Sequence, residues 1–166
     1  MAVNIRRATA SDVDNIRQLF YDTVTTVNRQ HYNDEQVAAW SAGYHNRENW
    51  AGKVAAQHFI VAEEESALAG FASVTSEGYL DYMFVDRNRQ GQGIASLLLS
   101  ELETIAARLF LETLTTHASI TAKPFFEKQG FEVVKQQTVQ VRGAELTNFV
   151  MEKKLAFKST SILPPV

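Results

Sequence analysis

A turn with two glycines lies between an apolar strand pattern and an apolar helix pattern near the middle of the chain. The strand pattern ends at Val85, and the turn Gln90-Gly91-Gln92-Gly93 leads into a helix that begins near Gly93. Glycine has no Cβ, so an anion can approach this backbone closely. The first turn of a helix leaves about four N–H groups unpaired and carries roughly half a positive charge. These features predict a phosphate cradle, although ordinary turns share the same pattern.

Two better-known phosphate loops do not match this turn. A P-loop needs a Lys-Ser/Thr pair after its second glycine, where this chain has Ile94-Ala95. A dinucleotide fingerprint would accept Ser96 as its third small residue, but it needs an acidic residue at the end of the next strand. That strand is predicted over 111–116, and Glu112 stands at its start. Neither a P-loop nor a dinucleotide fingerprint is therefore expected.

The elements that would position this turn follow from hydrophobic periodicity. Their predicted order is β-α-α-β-β-β-α-β-α-β-β, an α/β domain with a mixed sheet. Pro124 is expected in the first turn of the last helix, because deeper in the helix it would cost about 3 kcal/mol. Strands are predicted over 3–8, 58–64, 67–76, 79–85, 111–116, 131–141 and 146–155. Four helices are predicted: one that ends at about residue 30, one that begins after residue 33, one that begins at residue 93 and one over 121–128. A further short helix is considered over 47–56.

Two motifs resemble those of the GNAT superfamily of N-acetyltransferases. The run from Phe84 to Leu98 is similar to its acyl-CoA signature, Gln/Arg-x-x-Gly-x-Gly/Ala, with Gln90, Gly93 and Ala95 at the fixed positions. The run 118–131 is similar to its later motif, Asn-x-x-Ala-x-x-Phe-Tyr-x-x-x-Gly-Phe. The resemblance covers residues 3–155, and the motifs stand in the order and spacing of the superfamily.

This resemblance implies a single GNAT-like domain over 1–155, with a mixed, mostly antiparallel central sheet flanked by helices, followed by a tail over 156–166. It implies acetyl-CoA as cofactor and direct attack of an amine on the thioester, whose carbonyl the Val85 N–H would polarise. The residues implied to bind the cofactor are Phe84, Val85, Gln90, Gly91, Gln92, Gly93, Ile94, Ala95, Ser96, Ser119, Ala122, Phe125 and Phe126.

Two positions depart from the later motif. Ser119 replaces the usual Asn, and Phe126 replaces the Tyr that often protonates the leaving thiolate. A phenyl ring has no proton to give, but a coenzyme A thiolate has a pKa of roughly 8.5 and can leave without full protonation. Tyr82, Tyr79 and His117 are the substitute donors considered.

Asp81 is the preferred general base, because the attacking amine must lose a proton. An acidic residue is unusual on an apolar central strand. Strand alternation predicts that Asp81 shares a face with Met83 and Val85. A salt bridge or a strand-end cap would explain the same carboxylate equally well.

The resemblance also implies an acceptor pocket where the first helix ends, and the last hairpin is expected to border it. His31, Tyr32 and Trp40 would form its aromatic wall, and Asn148 would border it. Core packing of the helical cap remains an alternative explanation for both Tyr32 and Trp40. The acceptor is expected to be a primary amine of a small molecule or a peptide.

Composition narrows the function further. The net charge of −3 argues against nucleic acid or membrane partners, and the four histidines lack metal-ligand spacing. The chain has no cysteine, which excludes disulfides and an acetyl-cysteine intermediate and fits a cytoplasmic protein. The resemblance also makes a homodimer an expectation. A non-catalytic acyl-CoA-binding module and a nucleotide-phosphate protein are the alternative functions.

Overall fold

Seven strands form one sheet in the computed structural model, which describes residues 2–155. The predicted tail, 156–166, lies outside these residues. The strands are β1 (Val3–Arg7), β2 (His58–Glu64), β3 (Ala67–Val74), β4 (Tyr79–Val85), β5 (Thr113–Ser119), β6 (Glu132–Val141) and β7 (Ala144–Lys154). The α-helices are α1 (Val13–Thr26), α2 (Asp34–Ser41), α3 (Arg47–Ala56), α4 (Ile94–Arg108) and α5 (Lys123–Lys128), with short 3-10 helices at Ala10–Asp12, Asn28–His31 and Ala42–His45.

The strand order is β1-β2-β3-β4-β5-β7-β6, and every neighbouring pair is antiparallel except β4 with β5. A parallel pair needs a long crossover, and α4 supplies it between these two strands. The prediction of a mixed, mostly antiparallel sheet flanked by helices is confirmed.

Each face of the sheet has its own hydrophobic core. On one face α4 buries Leu98 and Leu102 completely against the central strands. On the other face α1 and α3 bury Ile16, Phe20 and Trp50. The period of about 3.6 residues along α1 and α4 is what brings these side chains onto one stripe of each helix.

The predicted element boundaries are mostly confirmed, with two corrections. The short helix considered over 47–56 is present as α3 between β1 and β2, although the predicted order left it out. Its start is capped by the Asn46 side chain, which accepts from the Asn49 N–H at 3.1 Å. The fifth strand was predicted too early, because Phe110 adopts a positive φ of 59° and the strand begins only at Thr113. Pro124 lies in the first turn of α5, as predicted.

Candidate active site

A cleft opens where β4 and β5 separate. These strands pair only at Tyr79–Thr115 and Leu80–Thr116, and the buried Thr116 hydroxyl donates to the Leu80 carbonyl oxygen at 2.9 Å. We call these two residue pairs the joint. Beyond the joint the two strands continue without pairing to each other, and the cleft between them has a volume of about 740 Å³. That volume is typical of a small-molecule site.

The main-chain N–H of Val85 points into this cleft. The Asp86 N–H donates to the Ala69 carbonyl oxygen of β3 at 2.8 Å. Hydrogen-bonded and non-hydrogen-bonded pairs alternate along an antiparallel ladder, so the adjacent pair, Val85 with Gly70, is a non-hydrogen-bonded one. The Val85 N–H therefore faces away from β3, toward the gap that β5 has left open.

Two side chains hold the end of β4 in place. The Val85 carbonyl oxygen accepts from the Gln90 Nε2 at 2.8 Å and from the Thr23 hydroxyl at 3.2 Å. Thr23 belongs to α1 and Gln90 to the following turn, so both elements fix the orientation of the Val85 peptide.

The turn between β4 and α4, which we call the phosphate loop (residues 86–96), presents free main-chain donors. Gly91 and Gly93 have positive φ values of 74° and 83°, and a Cβ added at either would meet no atom within 4 Å. The first backbone bond into α4 runs from the Leu97 N–H to the Gly93 carbonyl oxygen. The N–H groups of residues 94–96 thus have no partner within the helix.

The opposite wall is built by the turn from β5 into α5. The Ser119 hydroxyl accepts from the Ala122 N–H at 3.0 Å, so the shorter side chain still organises this turn. Phe126 is buried, and its ring centroid lies 5.2 Å from that of Phe125 and 5.0 Å from that of Phe131. Packing explains a phenyl ring at this position, where no hydroxyl needs a partner.

Comparison with known families agrees with this geometry. Residues 28–154 match the family described as the acetyltransferase (GNAT) domain. The chain belongs to the GNAT family of acetyltransferases. It is accordingly an acetyl-CoA-dependent N-acetyltransferase, and the predicted resemblance is confirmed.

Individual relatives of this GNAT acetyltransferase cover almost its whole length. It is 40% identical over 152 residues to the uncharacterized N-acetyltransferase YafP of Escherichia coli K12, covering 92% of this chain and 96% of that protein. A GCN5-related N-acetyltransferase structure from Rhodopseudomonas palustris superimposes with a TM-score of 0.90 at 25% identity, covering 93% and 97% of the two chains. The PaiA N-acetyltransferase of Thermoplasma acidophilum, solved with coenzyme A, shares the fold with a TM-score of 0.76 at 19% identity, covering 93% and 99%.

The cleft of this GNAT acetyltransferase fits acetyl-CoA, the family's cofactor. The space around the Gly91 and Gly93 Cα atoms is open, so phosphate oxygens have access to the loop N–H groups. The gap between β4 and β5 extends from that loop, with the Val85 N–H at its edge. These residues are therefore complementary to the diphosphate of the cofactor and to the narrow chain that joins it to the thioester.

Most of the predicted site residues line this one cleft. Two do not: Gln92 is exposed on the loop, and His31 is exposed, with its Nδ1 2.8 Å from the Thr121 hydroxyl oxygen. The lining includes the predicted residues Tyr32, Trp40, Asp81, Tyr82, Phe84, Val85, Gln90, Gly91, Gly93, Ile94, Ala95, Ser96, His117, Ser119, Ala122, Phe125, Phe126 and Asn148.

The face predicted for Asp81 is wrong. The β3–β4 register shifts between the pairs Ser73–Tyr82 and Val74–Leu80, so Asp81 sits in a β-bulge. Met83 and Val85 pack against the α4 core, whereas the Asp81 carboxylate reaches α3 on the opposite face.

Asp81 is ion-paired within that face. Its Oδ2 accepts from Lys53 Nζ at 2.7 Å and from Gln57 Nε2 at 2.8 Å. The salt bridge considered from the sequence is therefore present, and Asp81 also lines the cleft. A role for Asp81 as general base stays a prediction.

The candidate proton donors differ in environment. Burial, with a smaller contribution from the Asp81 charge, raises the pKa of Tyr79 to about 12. Burial likewise raises the pKa of Tyr82, followed by the charges of Asp81 and Tyr79. Both phenols stay protonated at neutral pH, but proton transfer from them to a thiolate of pKa about 8.5 is uphill. His117 is exposed, lies inside β5 and packs edge-on against Tyr79, with the ring centroids 5.2 Å apart.

Tyr32 lines the cleft, and its hydroxyl links β7 to the segment that follows β5. It donates to the Thr147 carbonyl oxygen of β7 at 2.8 Å and accepts from the Ile120 N–H, just after β5, at 2.9 Å. Burial raises the pKa of Tyr32, and the bond from Ile120 offsets part of that rise. The ring itself packs edge-on against Trp40 at 5.4 Å, so core packing and an aromatic cleft wall coexist here.

Replacing Tyr32 by Phe should lower the free energy of unfolding by about 1–2 kcal/mol, because two main-chain groups lose their partner. Urea denaturation would measure the loss. Tyr21→Phe is the matched control, since the Tyr21 hydroxyl bonds to no group within residues 2–155 and its side chain is exposed. Equal losses in the two variants would show that the Tyr32 bridge contributes nothing.

Several lining residues were not predicted, notably Thr23, Asn28 and Arg89. A signal existed for the first two, because they are polar residues that continue the buried stripe of α1 through Ile16 and Phe20. Arg89 belongs to the phosphate loop, and its guanidinium donates to the Glu64 carboxylate at 3.1 Å. Within residues 2–155, no group of three or more His, Asp or Glu side chains is placed to hold a metal ion.

Proposed function

We propose that this acetyltransferase transfers an acetyl group directly to a primary amine of a small molecule or a peptide. Acetyl-CoA, when bound, supplies the acetyl group as a thioester. The sequence contains no cysteine that might carry the acetyl group in between. The amine nitrogen therefore bonds to the acetyl carbon as the thiolate leaves, and the amine proton passes to a base.

One observation carries this proposal: the Val85 N–H faces the gap, beside the donors of the phosphate loop. A donor already aimed at a carbonyl oxygen stabilises the charge that develops there during aminolysis, and one such donor is worth about a hundredfold or more in rate. Thr23 and Gln90 keep this peptide oriented by holding its neighbouring carbonyl. The N–H groups of residues 94–96 bind the pyrophosphate.

Proton removal falls to Asp81 in this proposal. Lys53 and Gln57 both bond to its Oδ2, which leaves Oδ1 able to accept a proton from the amine or from an intervening water. Tyr82, Tyr79 and His117 border the same cleft and can return a proton to the thiolate. Phe126 takes no part in proton transfer.

Asp81→Asn should lower kcat/KM at least about tenfold, because it removes the base. The pH profile of kcat/KM should also change in this variant, because the residue that accepts the amine proton is gone. Lys53→Gln is the control, since it also breaks the ion pair but leaves the carboxylate. If both variants keep the wild-type pH profile, Asp81 is only a structural ion-pair partner.

The activity itself is tested by incubating the protein with acetyl-CoA and a panel of amines and measuring free thiol. Acetyl-CoA-dependent thiol release that requires an amine supports the proposal. Tight binding of acetyl-CoA with no turnover across the panel would instead indicate an acyl-CoA-binding module. Thermal stabilisation by ATP or NAD, with no response to coenzyme A, would indicate a nucleotide-phosphate protein.

Two expectations about the surroundings of the protein stay predictions. A cytoplasmic location agrees with the lack of cysteine, and a homodimer would be tested by light scattering. Within residues 2–155, every helix is too short or too polar to cross a membrane.

A further inference from the structure

The cleft has an acceptor half, which we define by Asn28, Tyr32, Trp40, Val139, Leu146 and Asn148. It lies between the end of α1, α2 and the β6–β7 hairpin. Tyr32 and Leu146 belong to the buried core of this face, and Trp40 and Val139 pack against that core. Most of this surface is therefore apolar and suited to an apolar body.

The charged side chains that line the cleft are already paired. Asp81 is held by Lys53 at 2.7 Å, and Arg89 by Glu64 at 3.1 Å. Among the basic side chains that line the cleft within residues 2–155, this leaves His117, an exposed residue of β5. An acceptor that carries a charged group besides its reacting amine would therefore bring that charge into the acceptor half without a free counter-ion. Burying an unpaired charge in a desolvated site is costly.

Two carboxamides in the acceptor half lack protein partners. Asn28 is 5% exposed and lines the cleft, and its side chain takes part in no hydrogen bond within residues 2–155. The Asn148 Oδ1 is buried and also lacks a partner among those residues. Buried polar groups are nearly always hydrogen-bonded, so both amides are available to a ligand.

The two amides lie near the same bridge. Asn28 precedes Tyr32 by four residues, and the Tyr32 hydroxyl bonds to Thr147, the neighbour of Asn148. Both residues line the acceptor half, so a ligand that fills this half would lie against both side chains. An amide can donate and accept, so it suits a neutral partner such as another amide, a carbonyl or a hydroxyl.

We propose that the acceptor is an amine on an apolar body that carries one neutral hydrogen-bonding group, and that Asn28 and Asn148 bind that group. This inference rests on the proposed acetyl transfer to an amine. It excludes polyamines, polycationic sugars and amines with a free carboxylate as preferred acceptors. Asn28 thereby becomes a specificity-determining residue that the sequence motifs do not contain.

Four phenethylamines that differ only in the para substituent test the inference, because their reacting amines are nearly alike. The substituents are hydrogen, a carboxamide, a carboxylate and a trimethylammonium group. The kcat/KM for the carboxamide compound should be about tenfold higher than that for the unsubstituted amine, because one hydrogen bond to a buried polar group contributes about that much. Both charged compounds should fall about tenfold below the unsubstituted amine, because their charge stays unpaired.

Variants at Asn28 connect this preference to the residue. Asn28→Leu should remove the advantage of the carboxamide over the unsubstituted amine and weaken carboxamide binding to the coenzyme A complex in calorimetry. Asn28→Asp should make the trimethylammonium compound a better acceptor than the carboxylate, by supplying the missing anion. Asn49→Leu, at an exposed position of α3, should behave as wild type.

The outcomes separate the two proposals. Transfer that favours a charged compound, or a carboxamide preference that survives in Asn28→Leu and Asn28→Asp, overturns this inference and leaves acetyl transfer intact. If Asn28→Leu fails to fold, Asn28→Asp and Asn148→Leu give the same comparison. Absence of transfer to every amine, despite calorimetric binding of acetyl-CoA, overturns the proposed function and this inference together.

Discussion

Gly93→Val should raise the Kd of acetyl-CoA about 100-fold, the equivalent of one or two lost hydrogen bonds to a charged group. Gly93 has a φ of 83°, which a β-branched residue adopts only with strain. The loop relieves that strain by turning away from this conformation, and its N–H groups then no longer converge on the phosphates. Isothermal titration of coenzyme A and acetyl-CoA would measure the change.

Gly143→Val is the matched control for this experiment. Gly143 has nearly the same φ, 86°, and an added Cβ there also meets no atom within 4 Å. It lies in the β6–β7 turn, outside the cleft lining. Both variants should lose about 1–2 kcal/mol of unfolding free energy from backbone strain, but only Gly93→Val should lose the cofactor. Equal cofactor affinity in the two variants would contradict the assignment of the phosphate loop.

Gly70→Val should lower the free energy of unfolding by about 3 kcal/mol, at the upper end of what overpacking costs. A Cβ on Gly70 would lie 2.9 Å from the Phe84 carbonyl oxygen, 3.2 Å from a Leu98 methyl and 3.3 Å from an Ile94 methyl. The oxygen belongs to the backbone of β4 and cannot rotate aside. Strand propensity favours valine over glycine by up to about 1 kcal/mol, so the clash outweighs it.

Gly52→Ala provides the opposite case. Gly52 lies in α3, and its added Cβ meets nothing within 4 Å, so the substitution should stabilise the protein by about 0.5–1 kcal/mol. Urea denaturation of both variants at one temperature compares them directly. Unchanged stability in Gly70→Val would mean that β3, β4 and α4 can move apart more easily than their packing indicates. In that event Val85, the register partner of Gly70, would not be rigidly held.

The turn between β4 and α4 and the succession of strands along the chain were predicted from the sequence, because both depend on local patterns. Gly91 and Gly93 mark the turn by their lack of a side chain, and α4 follows with a clear helical period. The bounds of β2 and β4 were also predicted correctly, since runs of apolar residues end abruptly at polar turns. These features need no knowledge of distant contacts.

The features that the sequence did not reveal depend on pairing between strands. The bulge at Asp81 exists because β3 and β4 pair out of step, and neither strand alone shows it. Strict alternation therefore placed Asp81 on the wrong face. The role of Tyr32 as a bridge depends on Thr147 and Ile120, which are far from it in the chain. Asn28 continues the buried stripe of α1 but was missed, because its importance lies in its lack of a hydrogen-bond partner within residues 2–155.

The joint between β4 and β5 is the point from which the two halves of the sheet diverge. Val85 lies five residues beyond Leu80, which is a distance of about 17 Å at the usual rise of a strand. A change of about 5° in the angle of β4 at the joint would move Val85 by about 1.5 Å. Misplacements of about 1 Å are enough to slow catalysis about a hundredfold. Substitutions of the side chains that pack around Leu80 and Leu114 are therefore expected to change the rate of acetyl transfer, because they change the angle at which two halves of one sheet diverge.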